Sequence, residues 1–195
     1  MLKIAGIDYG SKLAGTTVIA HLVSDQVQFL QSAKKQDADA FLLREIKNLG
    51  LNCIFLDAPL SLPGVYRNID PYNDYFYRAV DKVLKAMSPM FLGGLTARAM
   101  RLKQQLEALE VQVVETYPAH TARQFKLSDF HYKKQLAHLD ACSSYLMEQL
   151  VLPYDITPIK NWHQMDALLA FYSAWRYRNG QHESFGSEEE GRVVV

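Results

Sequence analysis

Three acidic residues each close a short apolar run: Asp8 ends the run through Ile4 and Ile7, Asp57 ends Leu51 to Leu56, and Glu115 ends Val111 to Val114. A carboxylate at the end of a buried strand is costly unless its charge is balanced. A fourth acid, Asp166, opens a helical stretch in which Ala167 and Ala170 leave room for close approach to a sheet. Four converging carboxylates cannot all stay ionised without cations, and oxygen-rich ligation suits Mg²⁺ or Mn²⁺ better than zinc. Two such ions ~3.5–4 Å apart activate a water and stabilise the leaving oxygen in phosphodiester hydrolysis. The expected metal-binding and catalytic set is therefore Asp8, Asp57, Glu115 and Asp166. Three of them also have a plainer reading: Asp8 and Asp57 as turn caps, Asp166 as a first-turn acid on a helix dipole; Glu115 is less suited to a turn.

Around these acids stand candidate substrate-binding residues. Lys12 follows Gly10-Ser11 and suits either a phosphate contact or a solvated turn. His163 precedes Asp166 by one helical turn, and His120 follows Glu115 by five residues; each suits proton transfer, substrate binding or a plain surface position. Arg78 and Asp81 share a helix face and make an i, i+3 ion pair, with substrate anchoring as the second reading of Arg78. From Tyr66-Arg67 through Tyr72, Tyr75, Phe76, Tyr77 and Arg78, aromatics alternate with base, a mixture able to stack bases and neutralise phosphates on single strands, although Phe76 and Val80 at helical spacing read first as core. Arg98, Arg101, Lys103, Lys133 and Lys134 suit a backbone groove or, by default, solvated faces. Glu188 to Glu190 read as a solvated acidic tail.

The elements that must position these residues follow from periodicity. Residues 2–8, 14–22 and 26–31 read as strands joined at Gly10-Ser11 and Ser24-Asp25, an antiparallel meander. Helical spacing over Asp37 to Leu49 stops at Gly50. The runs ending at Asp57 and Glu115 are the fourth and fifth strands. Helices are expected over 74–87, 95–109, 119–126, 131–149 and 163–178. With the first, fourth and fifth strands parallel and adjacent, their carboxyl ends share one sheet edge, where ligands sit in open α/β folds. The expected fold is α/β: a mixed five-stranded sheet flanked by helices, in one domain over 1–180, with 181–195 a polar C-terminal tail or a short edge strand.

The 195 residues carry 21 Lys and Arg against 21 Asp and Glu, so a strongly basic nucleic-acid binder is excluded. Residues 60–134 nevertheless hold eleven basic against seven acidic residues, and 135–195 four against eight, which allows a local surface for an anionic ligand. Cys53 and Cys142 have neither paired nor metal-ligand spacing and read as buried thiols in a reducing compartment. No leader is evident and no window reaches the ~18 apolar residues of a membrane span, so a cytoplasmic protein without a membrane partner is expected.

Together Gly6-Ile7-Asp8-Tyr9-Gly10, Leu56-Asp57-Ala58-Pro59-Leu60, Val114-Glu115-Thr116-Tyr117-Pro118 and Asp166-Ala167-Leu168-Leu169-Ala170, with Arg78-Ala79-Val80-Asp81, resemble the motifs of an uncharacterised domain-of-unknown-function family. Its members are predicted nucleases related to resolvase-like enzymes. The resemblance spans residues 6 to 170 and implies a ribonuclease H-like fold and a two-metal nuclease site at the four acids. Nucleic acid is the implied partner, and junction cutting would pair two copies in a homodimer. Gly6-Ile7-Asp8-Tyr9-Gly10-Ser11 also resembles the first phosphate loop of sugar kinases and actin-like ATPases, which makes an ATP-binding phosphotransferase the second expectation. The third is a non-catalytic nucleic-acid-binding module.

Overall fold

The first apolar run forms strand β1 (Ile4–Asp8), buried at every position in the computed structural model, which describes residues 2–195. It pairs antiparallel with β2 (Val18–Val23), and β2 with β3 (Gln26–Gln31), across a tight turn in which Ser24 and Asp25 both take positive φ. That conformation matches the right-handed twist of the flanking strands. Helix α1 (Ala38–Leu49) starts where the Asp37 carboxylate accepts from the amides of Asp39 and Ala40, and stops at left-handed Gly50. Strand β4 (Cys53–Asp57) then lies parallel to β1, with Asp8 opposite Asp57.

Between β4 and β5 the chain departs from the expected helix over 74–87. A 3₁₀ turn spans Gly64–Arg67, and α2 is confined to Ala79–Leu84. The Asp74 carboxylate accepts from the amides of Phe76 and Tyr77, an Asx turn that keeps residues before Arg78 out of helix, while left-handed Lys85 closes α2. Two further helices follow, α3 (Pro89–Leu92) and α4 (Gly94–Glu107), and β5 (Gln112–Glu115) lies parallel to β4.

After β5 come α5 (Pro118–Gln124), α6 (Leu139–Gln149), the two-residue β6 (Asp155–Ile156) and α7 (Trp162–Arg178). The expected helix over 131–149 begins only at Leu139, because His131 and Lys133 are left-handed and a 3₁₀ turn fills Leu136–His138. The C-terminal residues form a hairpin, β7 (Ser184–Ser187) and β8 (Gly191–Val194), with β7 at the sheet edge, so of the two expectations for 181–195 the edge strand holds and the polar tail does not. The sheet therefore has eight strands, not five, in the order β6-β3-β2-β1-β4-β5-β8-β7. The expected five are its contiguous centre, with the expected directions.

Two cores follow from strand alternation. Ile7, Ile19, Ile54, Leu56 and Val113 pack under α1 and α4; Ile4, Val18, Ala20, Cys53 and Phe55 pack under α6 and α7. Helix α7 crosses β1 at Gly6, where a Cβ would lie 1.9 Å from the Phe171 amide nitrogen and 2.5 Å from the Ala167 carbonyl oxygen. Only glycine permits that approach, and the approach carries the start of α7 to the carboxyl ends of β1 and β4. Both cysteines are buried and free, and among the described residues no helix is long and apolar enough to cross a membrane.

Candidate metal centre

Asp8 and Asp57 end neighbouring parallel strands in register, so the pleat turns both side chains to the α7 face. Asp166, in the second turn of α7, meets them there. One oxygen from each of the three carboxylates lies within 4.8 Å of those of the other two. The helix that delivers Asp166 is fixed at its start by Asn161, which accepts from the Gln164 amide and donates to Gln31 on β3.

Glu115 does not join them. Leu56, not Asp57, is its register partner, and along β5 Val113 packs with the α1 and α4 core, so alternation turns Glu115 to that opposite face. There it receives the Arg78 guanidinium at 2.6 and 2.8 Å and the Leu60 amide at 2.8 Å. Arg78 also meets Asp81 at 2.7 Å, the expected i, i+3 pair, with all three side chains buried. Burial raises the Glu115 carboxyl above its ordinary range despite the opposing pull of Arg78. Every N–H of Arg78 is committed, to Asp81, Glu115 and the Ser61 hydroxyl, which leaves it none for a substrate, and Glu115 is held in this cluster away from the three aspartates.

The three aspartates have their own basic neighbours. His163 Nδ1 lies 2.8 Å from Asp8 Oδ2, and that contact raises the imidazole pKa against the effect of burial. The Lys133 ammonium and the Tyr132 hydroxyl both bond Asp166. Burial, with the charges of Asp8 and Asp166, pushes Asp57 well above the usual carboxylate range. Asp166 is pushed up to about 6, chiefly by burial, with Lys133 opposing and Asp8 adding to the rise. Burial disfavours the charge on Lys133, yet the acids, led by Asp166, outweigh it and hold the ammonium protonated. Three converging carboxylates, two of them raised in part by the charges of their neighbours, form a donor set for a hard divalent cation.

Tyr132 escaped the sequence reading and Lys133 entered it only as a groove residue, because the left-handed His131 and Lys133 that turn both side chains toward α7 carry no glycine to mark them. Lys12 lies elsewhere, its ammonium 3.1 Å from Asp37 at the start of α1. His120 packs edge-on against Phe185 of the C-terminal hairpin. Arg98, read by default as solvated, instead joins an internal network: it meets Asp39 at 2.7 Å and the Gly10 carbonyl at 3.2 Å, while the Tyr9 hydroxyl donates to Asp39 at 2.5 Å. This network anchors the backbone just after Asp8.

The family model described as "Protein of unknown function (DUF429)" matches residues 6–191. No curated protein and no solved structure shows significant similarity to the chain.

Proposed function

We propose that this chain, which belongs to the DUF429 family, is a divalent-metal-dependent phosphodiesterase acting on nucleic acid. The observation that carries the reading is the convergence of Asp8, Asp57 and Asp166 at one sheet edge, with the Lys133 ammonium on Asp166 and the His163 imidazole on Asp8. The β3-β2-β1-β4-β5 order, antiparallel then parallel, supports a ribonuclease H-like assignment of the central sheet. Asp8, Asp57 and Asp166 would hold Mg²⁺ or Mn²⁺. When bound, such an ion supplies Lewis acidity toward water and phosphoryl oxygens.

The chain's own groups do the rest. Lys133, partly exposed and charged, offers its ammonium to a phosphate oxygen beside Asp166. His163 has Nδ1 committed to Asp8, which leaves Nε2 to hydrogen-bond a substrate oxygen or deliver a proton to the leaving group. Tyr132 orients Asp166, and the Tyr9–Asp39–Arg98 network fixes the backbone that carries Asp8. Glu115 holds Arg78 and the loop at Leu60, and has no part in ligation.

Calorimetric titration with Mn²⁺ and Mg²⁺, followed by cleavage assays on labelled oligonucleotides, tests the reading. Wild type should bind saturably and cut, Asp8→Asn and Asp57→Asn should lose both, and Glu115→Gln should retain ion binding. Loss of ion binding in Glu115→Gln with retention in Asp8→Asn would overturn this assignment.

A further inference from the structure

Beside the three aspartates a cleft of about 370 Å³ opens between α2, α3 and the β5–α5 connection. Its volume falls within the ~300–1,000 Å³ of small-ligand sites. Asp57 and Lys133 line it, as does the closed Arg78–Asp81–Glu115 cluster, and Ala58, Leu84, Ala86, Met87 and Leu92 supply apolar walls. Thr116 also lines it, and here the structure has an unmet need: the residue is 2% exposed, and its hydroxyl has no hydrogen-bond partner. A buried, unpartnered hydroxyl is costly unless a ligand satisfies it. Next to the cleft an apolar shelf faces solvent: Phe91 is 62% exposed beside Leu92, Phe76 packs against it at a tilt with ring centroids 5.6 Å apart, and Met87 reaches from the cleft wall to the surface.

We infer that the cleft holds an unpaired nucleobase whose phosphate lies at Asp57 and Lys133, so that the substrate is single-stranded where it is cut. This rests on the phosphodiesterase reading. A base is a flat ring with polar edges, matched by the apolar walls across its faces and, at its edges, by the polar groups of the lining, the Thr116 hydroxyl among them. A base stacked within a duplex cannot enter such a cleft without leaving the stack. The lining cations do not suit a duplex backbone either, because Arg78 is consumed by Glu115 and Asp81, and Lys133 serves the reacting phosphate. Phe76 and Phe91 would stack the neighbouring bases, the sequence-tolerant contact of single-strand binders. The aromatic stretch through Tyr75, Phe76 and Tyr77 thereby acquires a role.

The experiment uses 2-aminopurine, whose fluorescence reports stacking. Its free riboside carries no phosphate and so probes the cleft without metal. Quenching of the riboside should saturate with wild type in EDTA and be lost in Ala86→Trp, which fills the cleft from its half-buried mouth. Thr116→Val, an isosteric change, should weaken binding severalfold. With an oligonucleotide carrying the same base, wild type should bind the single strand at least tenfold more tightly than its duplex, and both variants should keep wild-type Mn²⁺ titrations. Equal quenching by wild type and Ala86→Trp, or equal affinity for single strand and duplex, would overturn the inference. Saturable riboside binding without Mn²⁺ binding would retain the cleft and sink the metal-dependent reading; Mn²⁺ binding without riboside binding would do the reverse.

Discussion

Asp166 keeps its proton up to about pH 6 in the folded protein, against about 3.9 for an unfolded aspartate. Between those values the folded chain binds more protons than the unfolded one, so this carboxyl subtracts from stability as pH rises, and the loss is complete above about 6. A shift of this size amounts to roughly 3 kcal/mol at most. Asp57, held well above the usual carboxylate range by burial, contributes a loss of the same sign. A divalent cation competes with the same protons. Thermal unfolding with and without Mn²⁺ should therefore show little stabilisation at about pH 5 and clear stabilisation at about pH 7.5. An equal rise in Tm at both would place the ion elsewhere. At this scale the sequence was readable where a carboxylate closed an apolar run, as at Asp8 and Asp57. It was not readable where a non-glycine residue took a left-handed turn, which is why Tyr132 and Lys133 had no marked place at the site.

The elements deliver the acids by close approach and by strand parity. Helix α7 must lie against β1 for Asp166 to reach Asp8, and Gly6 is where it does so. Gly6→Ala places a methyl carbon against the α7 backbone, which cannot yield as a side chain would. Urea unfolding should show a loss of at least ~3 kcal/mol, the upper part of the overpacking range, and the surviving folded fraction should bind Mn²⁺ more weakly because α7 is pushed off the sheet. Unchanged stability would mean that α7 does not lie this close. Small residues at Ala167 and Ala170 signalled the approach in the sequence. Parity was harder to read: three strands ended in acids, but a one-residue difference in register between β4 and β5 turns Glu115 to the opposite face. Nothing in an isolated apolar run fixes register against its neighbour, so convergence of all four acids was the part of the expectation that failed.

Across the whole molecule the C-terminal hairpin ties the last residues to the segment that walls the proposed base cleft. Glu190, expected in a solvated tail, is buried, and its carboxylate accepts from the Gly64 and Ala79 amides at 2.8 and 2.7 Å. Its carbonyl also accepts from the Ser61 hydroxyl. A tract of Gly, Ser and Glu gives no strand periodicity, so an edge strand stood there only as an alternative to a tail, and this clamp could not be read before the fold placed the start of α2 beside it. Val193 and Val195 pack with Val80 and Leu84 of α2, which makes the hairpin the support for the cleft's outer wall. Glu190→Gln keeps the shape but replaces one acceptor oxygen with an NH₂ that cannot accept, so one of the two amide bonds is lost and the other loses its charge assistance, and it should cost ~1–3 kcal/mol of stability. Hydrogen exchange should accelerate at Gly64 and Ala79 while the β1 and β4 amides, on the far side of β5, stay protected. Mn²⁺ binding should persist, since no ligand comes from the hairpin, whereas binding of a single strand should weaken as α2 loosens. Faster exchange throughout the sheet would instead make the hairpin part of one cooperative unit with the metal centre, and wall and acids would then respond to any substitution together.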